Sequence, residues 1–254
     1  MNWLRVIALT FLCLLLVPIV VLVYYGLGPL RTGIGYGPEV FRAVALSLVA
    51  SATAAVVDVV AFTPLAYYLG RNRNRGTESL VDIPVSVPHP IIGVALLVIS
   101  SPITPVGRFL ISVGINLFDT VLGLVIALVI VSAPIYVKSL QPYFESRDQA
   151  PEQFAMGLGA SPLRTYASVV LPDSSRSIIS GALLAMSRAL SEFGSIAILA
   201  YYVLQSPFYG VSPAAVLIYQ YYSYYGLGAA VTTSVTLIAI SVPLALAVRF
   251  VRRE

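Results

Sequence analysis

The hydrophobic pattern of this chain consists of long apolar stretches separated by polar segments or by segments rich in glycine and proline. A stretch of about 20 apolar residues is long enough to cross a bilayer as an α-helix. The polar/apolar alternation typical of a transmembrane β-barrel is missing from the sequence. We therefore predict an all-α integral membrane protein with a single membrane domain over residues 1–254. Its six expected spans lie at about residues 5–25, 39–70, 83–100, 117–140, 173–202 and 229–250.

Composition and charge agree with this pattern. The chain is 58% hydrophobic and 10% charged, whereas a soluble domain carries about 25% charged residues. Basic residues concentrate at Arg5, in segments 71–75 and 138–176, and at 249–253. The loops on the other side hold Arg31, Arg42 and Arg108. Because cytoplasmic loops are enriched in Lys and Arg, we expect both termini in the cytoplasm, and we interpret segment 71–75 as a topology signal rather than a nucleic-acid site.

The segment between the fourth and fifth apolar stretches, residues 141–172, is too polar and too interrupted to cross a membrane. Glu152 suits the positive end of a helix dipole, and Gly157 and Gly159 then interrupt the helical pattern. Ser161, followed by a proline, favours the start of a second helix. The segment is therefore predicted to form two short helices at the cytoplasmic membrane surface.

The spacing in this segment resembles the cytoplasmic EAA loop of permease subunits of ABC importers. Gly159 and the Leu-Pro pair at 171–172 match the family pattern, but the Glu-Ala-Ala places at 153–155 hold Gln, Phe and Ala, and Glu152 lies one residue early. The resemblance implies a coupling loop that docks into a cleft on a cytoplasmic ATPase; an ordinary interfacial helical hairpin is the alternative. The implied coupling residues are Glu152, Gln153, Phe154, Ala155, Gly157, Gly159, Ala160, Ser161, Leu171 and Pro172.

The third apolar stretch begins with three closely spaced prolines, Pro84, Pro88 and Pro90. Each lacks an N–H and disfavours a regular helix, and irregular backbone at membrane depth is tolerated only where protein buries it or water reaches it. The stretch is therefore a candidate for the translocation pathway. His89, the single histidine, is interpreted as a polar or capping residue, with a gating role as the alternative.

Ionisable residues also lie inside predicted spans, where they are costly unless paired or in contact with water. Arg188 and Glu192 are four residues apart and share a helix face. They indicate a pore or gate, or else close helix packing. Asp58 is a possible intramembrane polar site, with a structural hydrogen bond as the alternative. The candidate pathway or gate residues are Pro88, His89, Pro90, Arg188, Ser191, Glu192, Phe193 and Gly194.

Two longer segments extend the resemblance: SEFGSIAILAYY at 191–202 and DIPVSVPHPIIGVALL at 82–97. Together they resemble molybdate/tungstate ABC permeases of the archaeal type. The resemblance implies a type I importer fold in the cell membrane and a homodimer. It also implies two cytoplasmic ATPase subunits and an extracellular binding protein that delivers the oxyanion. Sulfate permeases are close relatives, so sulfate is the alternative cargo.

The sequence also excludes some chemistry. Lys138 is the only lysine and lacks the preceding glycines of a P-loop, so ATP and magnesium are expected only on partner ATPases. One histidine and one cysteine, Cys13, leave no metal site or catalytic triad. We therefore expect a non-enzymatic subunit, not an intramembrane hydrolase. An ion-coupled secondary transporter is the more distant alternative, disfavoured because no internal repeat is evident.

Overall fold

The computed structural model describes residues 2–72 and 75–253, with side chains described up to residue 239 and at Pro243. Arg73 and the side chains at 249–253, part of the predicted cytoplasmic charge, lie outside this description. The described helices are α1 Asn2–Leu27, α2 Pro38–Arg71, α3 Arg75–Ser86, α4 His89–Ser100, α5 Pro105–Ser112, α6 Val121–Ser146, α7 Ala150–Gly157, α8 Pro162–Thr165, α9 Leu171–Leu190, α10 Ile196–Leu199, α11 Ala214–Tyr225 and α12 Leu227–Arg253. The all-α prediction is confirmed for this part of the chain.

Three of these helices, α1, α2 and α6, are long and apolar enough to cross a membrane on their own. A fourth crossing is available to α3 and α4 together, which meet at a bend of 98°. α12 contributes a shorter apolar helix over Leu227–Ala239. The arrangement of six spans and the cytoplasmic location of the termini remain predictions.

The predicted third and fifth spans differ from the helices found. Pro84 lies inside α3, so the interruption is limited to Val87 and Pro88 rather than the whole proline cluster. Pro90 lies in the first turn of α4, where a helix has no partner for an N–H. The fifth predicted span, 173–202, ends as a helix at Leu190 and is followed by a break over 191–195.

The polar segment 141–172 is also shorter than predicted. α6 continues to Ser146, inside that segment. At the other end, a π-helical turn, Tyr166–Val170, joins α8 directly to α9, so Pro172 does not end a helix as expected but lies in the first turn of α9. A proline is tolerated there because first-turn N–H groups have no helical partner. The chain is therefore helical from Pro162 to Leu190.

The core is formed where α2 packs against α6 and α9. Small residues on α2, including Ala50, Ala54 and Ala66, are fully buried and allow the neighbouring helices to approach closely. A side chain added at Gly70 would collide with Phe144 of α6. In contrast, the apolar side chains of α1 are largely exposed, as expected for a helix in lipid.

Candidate functional site

The two breaks in the predicted spans lie against each other. We call them the α3–α4 joint, residues 87–88, and the α9–α10 joint, residues 191–195. A Cβ added at Gly194 would lie 2.9 Å from Pro90 Cδ, and one added at Gly93 would lie 2.5 Å from the carbonyl oxygen of Ser195. The glycines on both sides therefore allow the backbones to touch.

Three ionisable side chains bridge the two joints. Glu192 Oε2 lies 2.7 Å from His89 Nδ1 and 3.0 Å from Arg188 Nη2, and the same Nη2 lies 2.8 Å from His89 Nδ1. The other carboxylate oxygen, Oε1, accepts hydrogen bonds from the backbone N–H and the hydroxyl of Ser195, both at 2.9 Å. The predicted Arg188–Glu192 pair is therefore formed, and His89 joins it.

These contacts explain why the helix stops at Leu190. Glu192 supplies an oxygen that takes the N–H of Ser195, and a side chain that binds a nearby backbone group competes with the helical ladder. Ser191 donates its hydroxyl to the carbonyl of Arg188 and accepts from its guanidinium at 3.3 Å. Phe193 packs against Tyr219 with 5.6 Å between ring centroids. The structure thus places the predicted pathway residues at one location, which we call the joint cluster: Pro88, His89, Pro90, Arg188, Ser191, Glu192, Phe193 and Gly194.

Asp58 is not part of the joint cluster's contacts. It is fully buried between α2 and α6, where its Oδ2 accepts a hydrogen bond of 2.6 Å from the Ser132 hydroxyl. One turn further along the same interface, the hydroxyls of Thr63 and Tyr136 lie 2.6 Å apart. This geometry favours the structural interpretation of Asp58, a polar contact that holds α2 and α6 together.

The predicted coupling loop contains two short helices, α7 and α8, separated by residues 158–161. Gly159 has a φ of +90°, a conformation that glycine adopts without steric cost. The Ser161 hydroxyl accepts from the Arg164 N–H and caps α8, as predicted. Phe154, Leu158 and Leu163 are each more than 70% exposed. The segment therefore presents an apolar surface away from the helix bundle, which we call the docking face.

Glu152 points in the opposite direction, into the protein. Its carboxylate accepts from Arg71 Nη2 at 2.5 Å, from Arg147 Nη1 at 2.9 Å and from the Tyr67 hydroxyl at 2.6 Å. We call these four residues the Glu152 clamp. Arg147 also bonds Asp173 on α9 at 2.6 Å. The clamp therefore joins α7 to the ends of α2 and α6 and to the start of α9.

Sequence reasoning identified Glu152 but missed its partners. Arg71 and Arg147 were assigned only to the topology signal, although Arg71 donates further bonds of 2.7 and 2.8 Å to the carbonyls of Phe144 and Arg147. The i,i+4 spacing of Tyr67 and Arg71 at the end of a long apolar stretch was the available signal. Tyr166 packs on Tyr67. Burial is the main cause of the raised pKa of Tyr166.

Among residues 2–72 and 75–253, no group of three or more His, Cys, Asp or Glu side chains is arranged to hold a metal ion. What the joint cluster provides is the guanidinium of Arg188 beside the imidazole of His89, at a break between two helices. A guanidinium donates charge-assisted hydrogen bonds to anions.

Several apolar helices, a charged joint between two of them and an exposed apolar docking face define a multi-pass membrane transport protein. Residues 59–254 match the family described as the binding-protein-dependent transport system inner membrane component, and the chain belongs to this family of ABC permeases. The matched region includes both the joint cluster and the docking face. The predicted ABC permease identity and multi-pass membrane location are thereby confirmed.

Individual relatives cover most of the chain. The molybdate/tungstate transport system permease protein WtpB of Pyrococcus abyssi is 34% identical over 218 residues, 85% of this chain and 79% of its own length. The WtpB protein of Pyrococcus furiosus is 35% identical over 207 residues, 80% of this chain and 75% of its own. A probable sulfate permease, cysT of Nephroselmis olivacea, is 31% identical over 222 residues, 86% of this chain and 77% of its own. The resemblance to molybdate/tungstate permeases is confirmed.

Proposed function

We propose that this chain is the membrane subunit of an ATP-driven importer that carries tungstate or molybdate into the cytoplasm. The observation that carries the proposal is the similarity to WtpB permeases over about four fifths of the chain. The joint cluster supports it, because a guanidinium and an imidazole at a break in the spans suit an anionic cargo. The working unit is proposed to be a homodimer whose two joint clusters flank one pathway.

The energy is proposed to come from two ATPase subunits, which bind ATP and magnesium on the cytoplasmic side. Their contact is the docking face, because Phe154, Leu158 and Leu163 are apolar side chains exposed on a surface segment. An extracellular binding protein delivers the oxyanion from the other side of the membrane. In this arrangement the chain itself catalyses no reaction.

A movement of α7 is proposed to reach the joint cluster through contacts within the chain. A displacement of α7 acts through the Glu152 clamp on α2, α6 and the start of α9. α8, the π-helical turn and α9 then form an unbroken helical path from the docking face to Leu190, next to the joint cluster. Closure of the ATPases would move this path and change the opening between the joints, giving alternating access.

The test is ATP hydrolysis by the reconstituted complex of this chain, its ATPase and its binding protein. Tungstate, molybdate and sulfate are added in separate reactions, each with the binding protein. Stimulation by tungstate or molybdate, with sulfate inert, is the expected result. Stimulation by sulfate alone would retain the permease assignment and overturn the cargo.

Sulfate is the second candidate cargo because several sulfate permeases also match this chain. Sulfate, molybdate and tungstate share a tetrahedral shape and a double negative charge. The comparison of cargoes in the same complex therefore decides between them.

A further inference from the structure

We propose that Arg188 and His89 form a transit site for the tetrahedral oxyanion, and that the Glu192 carboxylate is a tethered competitor that occupies this site between transport events. The inference rests on the proposed function and adds to it a binding site and a device that limits its affinity. It follows from the asymmetric surroundings of the two Glu192 oxygens.

One oxygen is fixed and the other is exchangeable. Oε1 accepts from the N–H and hydroxyl of Ser195, two donors that lie within the same joint. Oε2 contacts only the side chains of Arg188 and His89 among the bonds described, at 3.0 and 2.7 Å. If an oxyanion took the place of Oε2 at Arg188 and His89, the Glu192 carboxylate would keep its two hydrogen bonds from Ser195.

Arg188 and His89 are more exposed than the Glu192 carboxylate. Glu192 is buried to 1% exposure, whereas the side chains of Arg188 and His89 retain 25% and 28%. Ser191, which bonds the Arg188 guanidinium, is exposed as well. Broken helices at membrane depth face protein or a water-filled cavity. In the proposed pathway an anion would therefore meet the arginine and histidine before the carboxylate.

The Glu192 carboxylate and the oxyanion can bind the same groups. Carboxylate and tetrahedral oxyanion both present negatively charged oxygens, and both form short, charge-assisted bonds with guanidinium. An oxyanion must therefore displace Oε2 to bind. This competition weakens the site, which suits a pathway because favourable binding must remain weak enough for the cargo to leave.

Substitution of Glu192 separates this role from that of a simple cap. Glu192→Gln retains a side-chain oxygen for the Ser195 N–H and hydroxyl but loses the negative charge that competes for Arg188. If Glu192 only caps the joint and any bound oxyanion lies elsewhere, this variant binds tungstate like the unchanged protein. A tethered competitor predicts a Kd for tungstate at least about tenfold lower than that of the unchanged protein.

The experiment uses the complete permease–ATPase complex in lipid nanodiscs, without binding protein, and measures tungstate binding by titration calorimetry. Glu192→Gln is expected to tighten binding, Arg188→Gln to abolish it and His89→Gln to weaken it. Glu145→Gln, which removes a carboxylate charge far from the joint cluster, serves as the control and is expected to bind like the unchanged protein. Chloride and sulfate titrations distinguish oxyanion recognition from general anion attraction.

Equal tungstate binding by the unchanged complex and Glu192→Gln would overturn the inference, as would binding that survives Arg188→Gln. If Glu192→Gln does not assemble, Arg188→Lys provides the decision, because it keeps the charge but loses the planar donor pair and should weaken binding. Arg188→Lys binding equal to that of the unchanged complex would then count against the site. ATP hydrolysis by the unchanged complex with its binding protein and tungstate tells failure of the cargo assignment from failure of the transit site. If tungstate does not stimulate hydrolysis, the cargo assignment is overturned. If tungstate stimulates hydrolysis but the variants bind tungstate like the unchanged complex, only the transit site is overturned.

Discussion

Arg71 Nη2 lies 2.5 Å from Glu152 Oε1, and this ion pair joins the last turn of α2 to the first turn of α7. Both side chains are less than 10% exposed, and Arg147 and Tyr67 bind the same carboxylate. The acid near the start of the coupling segment therefore points into the permease rather than towards a partner. These contacts attach α7 to the ends of α2 and α6.

The Glu152 clamp predicts that Glu152→Ala uncouples ATP hydrolysis from transport. Removal of one partner from a buried ion pair costs about 3–5 kcal/mol where the other charge is left unpaired. The cost here is smaller, because Arg147 keeps Asp173 and Arg71 keeps two carbonyl oxygens. We expect a lower unfolding temperature and loss of oxyanion-stimulated hydrolysis, with basal hydrolysis retained by any complex that assembles. Glu145→Ala, which removes another carboxylate in the last turn of α6, is the control. Normal stimulation in Glu152→Ala would show that the clamp does not transmit motion.

The docking face predicts where the ATPase binds. Leu158 and Leu163 are 76% and 77% exposed, so replacing both with Ser removes apolar contact area without disturbing the core. The double variant should insert in the membrane but fail to copurify with the ATPase. Gln149→Ala, which alters an exposed polar residue before α7 that makes no capping bond, should copurify normally. Retention of the ATPase by the double serine variant would contradict the assignment of this face.

Gly159 and Gly157 form a matched pair for testing the turn between α7 and α8. Gly159→Ala forces alanine to a φ of +90°, which costs roughly 1–2 kcal/mol, and should weaken ATPase assembly. Gly157→Ala has open space around the new methyl group and a helical position. It should therefore assemble like the unchanged protein. Copurification with the ATPase at rising temperature compares the two, and equal losses would contradict the conformational argument.

The contact between the joints predicts a steric effect at Gly93. A methyl group there would lie 2.5 Å from the Ser195 carbonyl oxygen, so Gly93→Ala must push the α9–α10 joint away from α4. We expect reduced oxyanion transport and a lower unfolding temperature. Gly33→Ala, where no atom lies within 4 Å of the new methyl group, is the control. Transport by Gly93→Ala at the unchanged rate would mean that the two joints can separate without consequence.

Asp58 distinguishes the importer from an ion-coupled secondary transporter. Because Asn can still accept a hydrogen bond from Ser132, Asp58→Asn should retain ATP-driven transport if the contact is structural. Asp58→Leu, which leaves the Ser132 hydroxyl without its partner, should lower the unfolding temperature. Proteoliposome uptake by the two variants provides the measurement. Loss of transport in Asp58→Asn at normal stability would assign Asp58 a direct role.

The apolar stretches and the polar segment between them were predictable because membrane burial imposes long, uninterrupted patterns on the sequence. The pairing of Arg188 with Glu192 was equally accessible, since it depends on local helical spacing. The helix end at Leu190 was not. It depends on the Ser195 N–H, which donates to the Glu192 carboxylate instead of to a helical carbonyl oxygen. Hydrophobic periodicity does not show which of these two bonds forms.

Long-range contacts account for the other differences. His89 and Glu192 are far apart in the chain, and the packing of Gly194 against Pro90 and of Gly93 against Ser195 brings them together. The Glu152 clamp likewise draws its two arginines from the ends of different helices. The basic residues are visible in the sequence as a charge cluster, but charge counting alone does not show which two are buried with Glu152.

The most direct test of the central claim is uptake of radiolabelled tungstate into proteoliposomes that contain this chain with its ATPase. The binding protein and tungstate are supplied outside, and ATP is enclosed inside with the ATPase. We predict uptake that requires ATP, the ATPase and the binding protein together. Uptake by the chain alone, driven by an ion gradient and independent of ATP, would contradict the account.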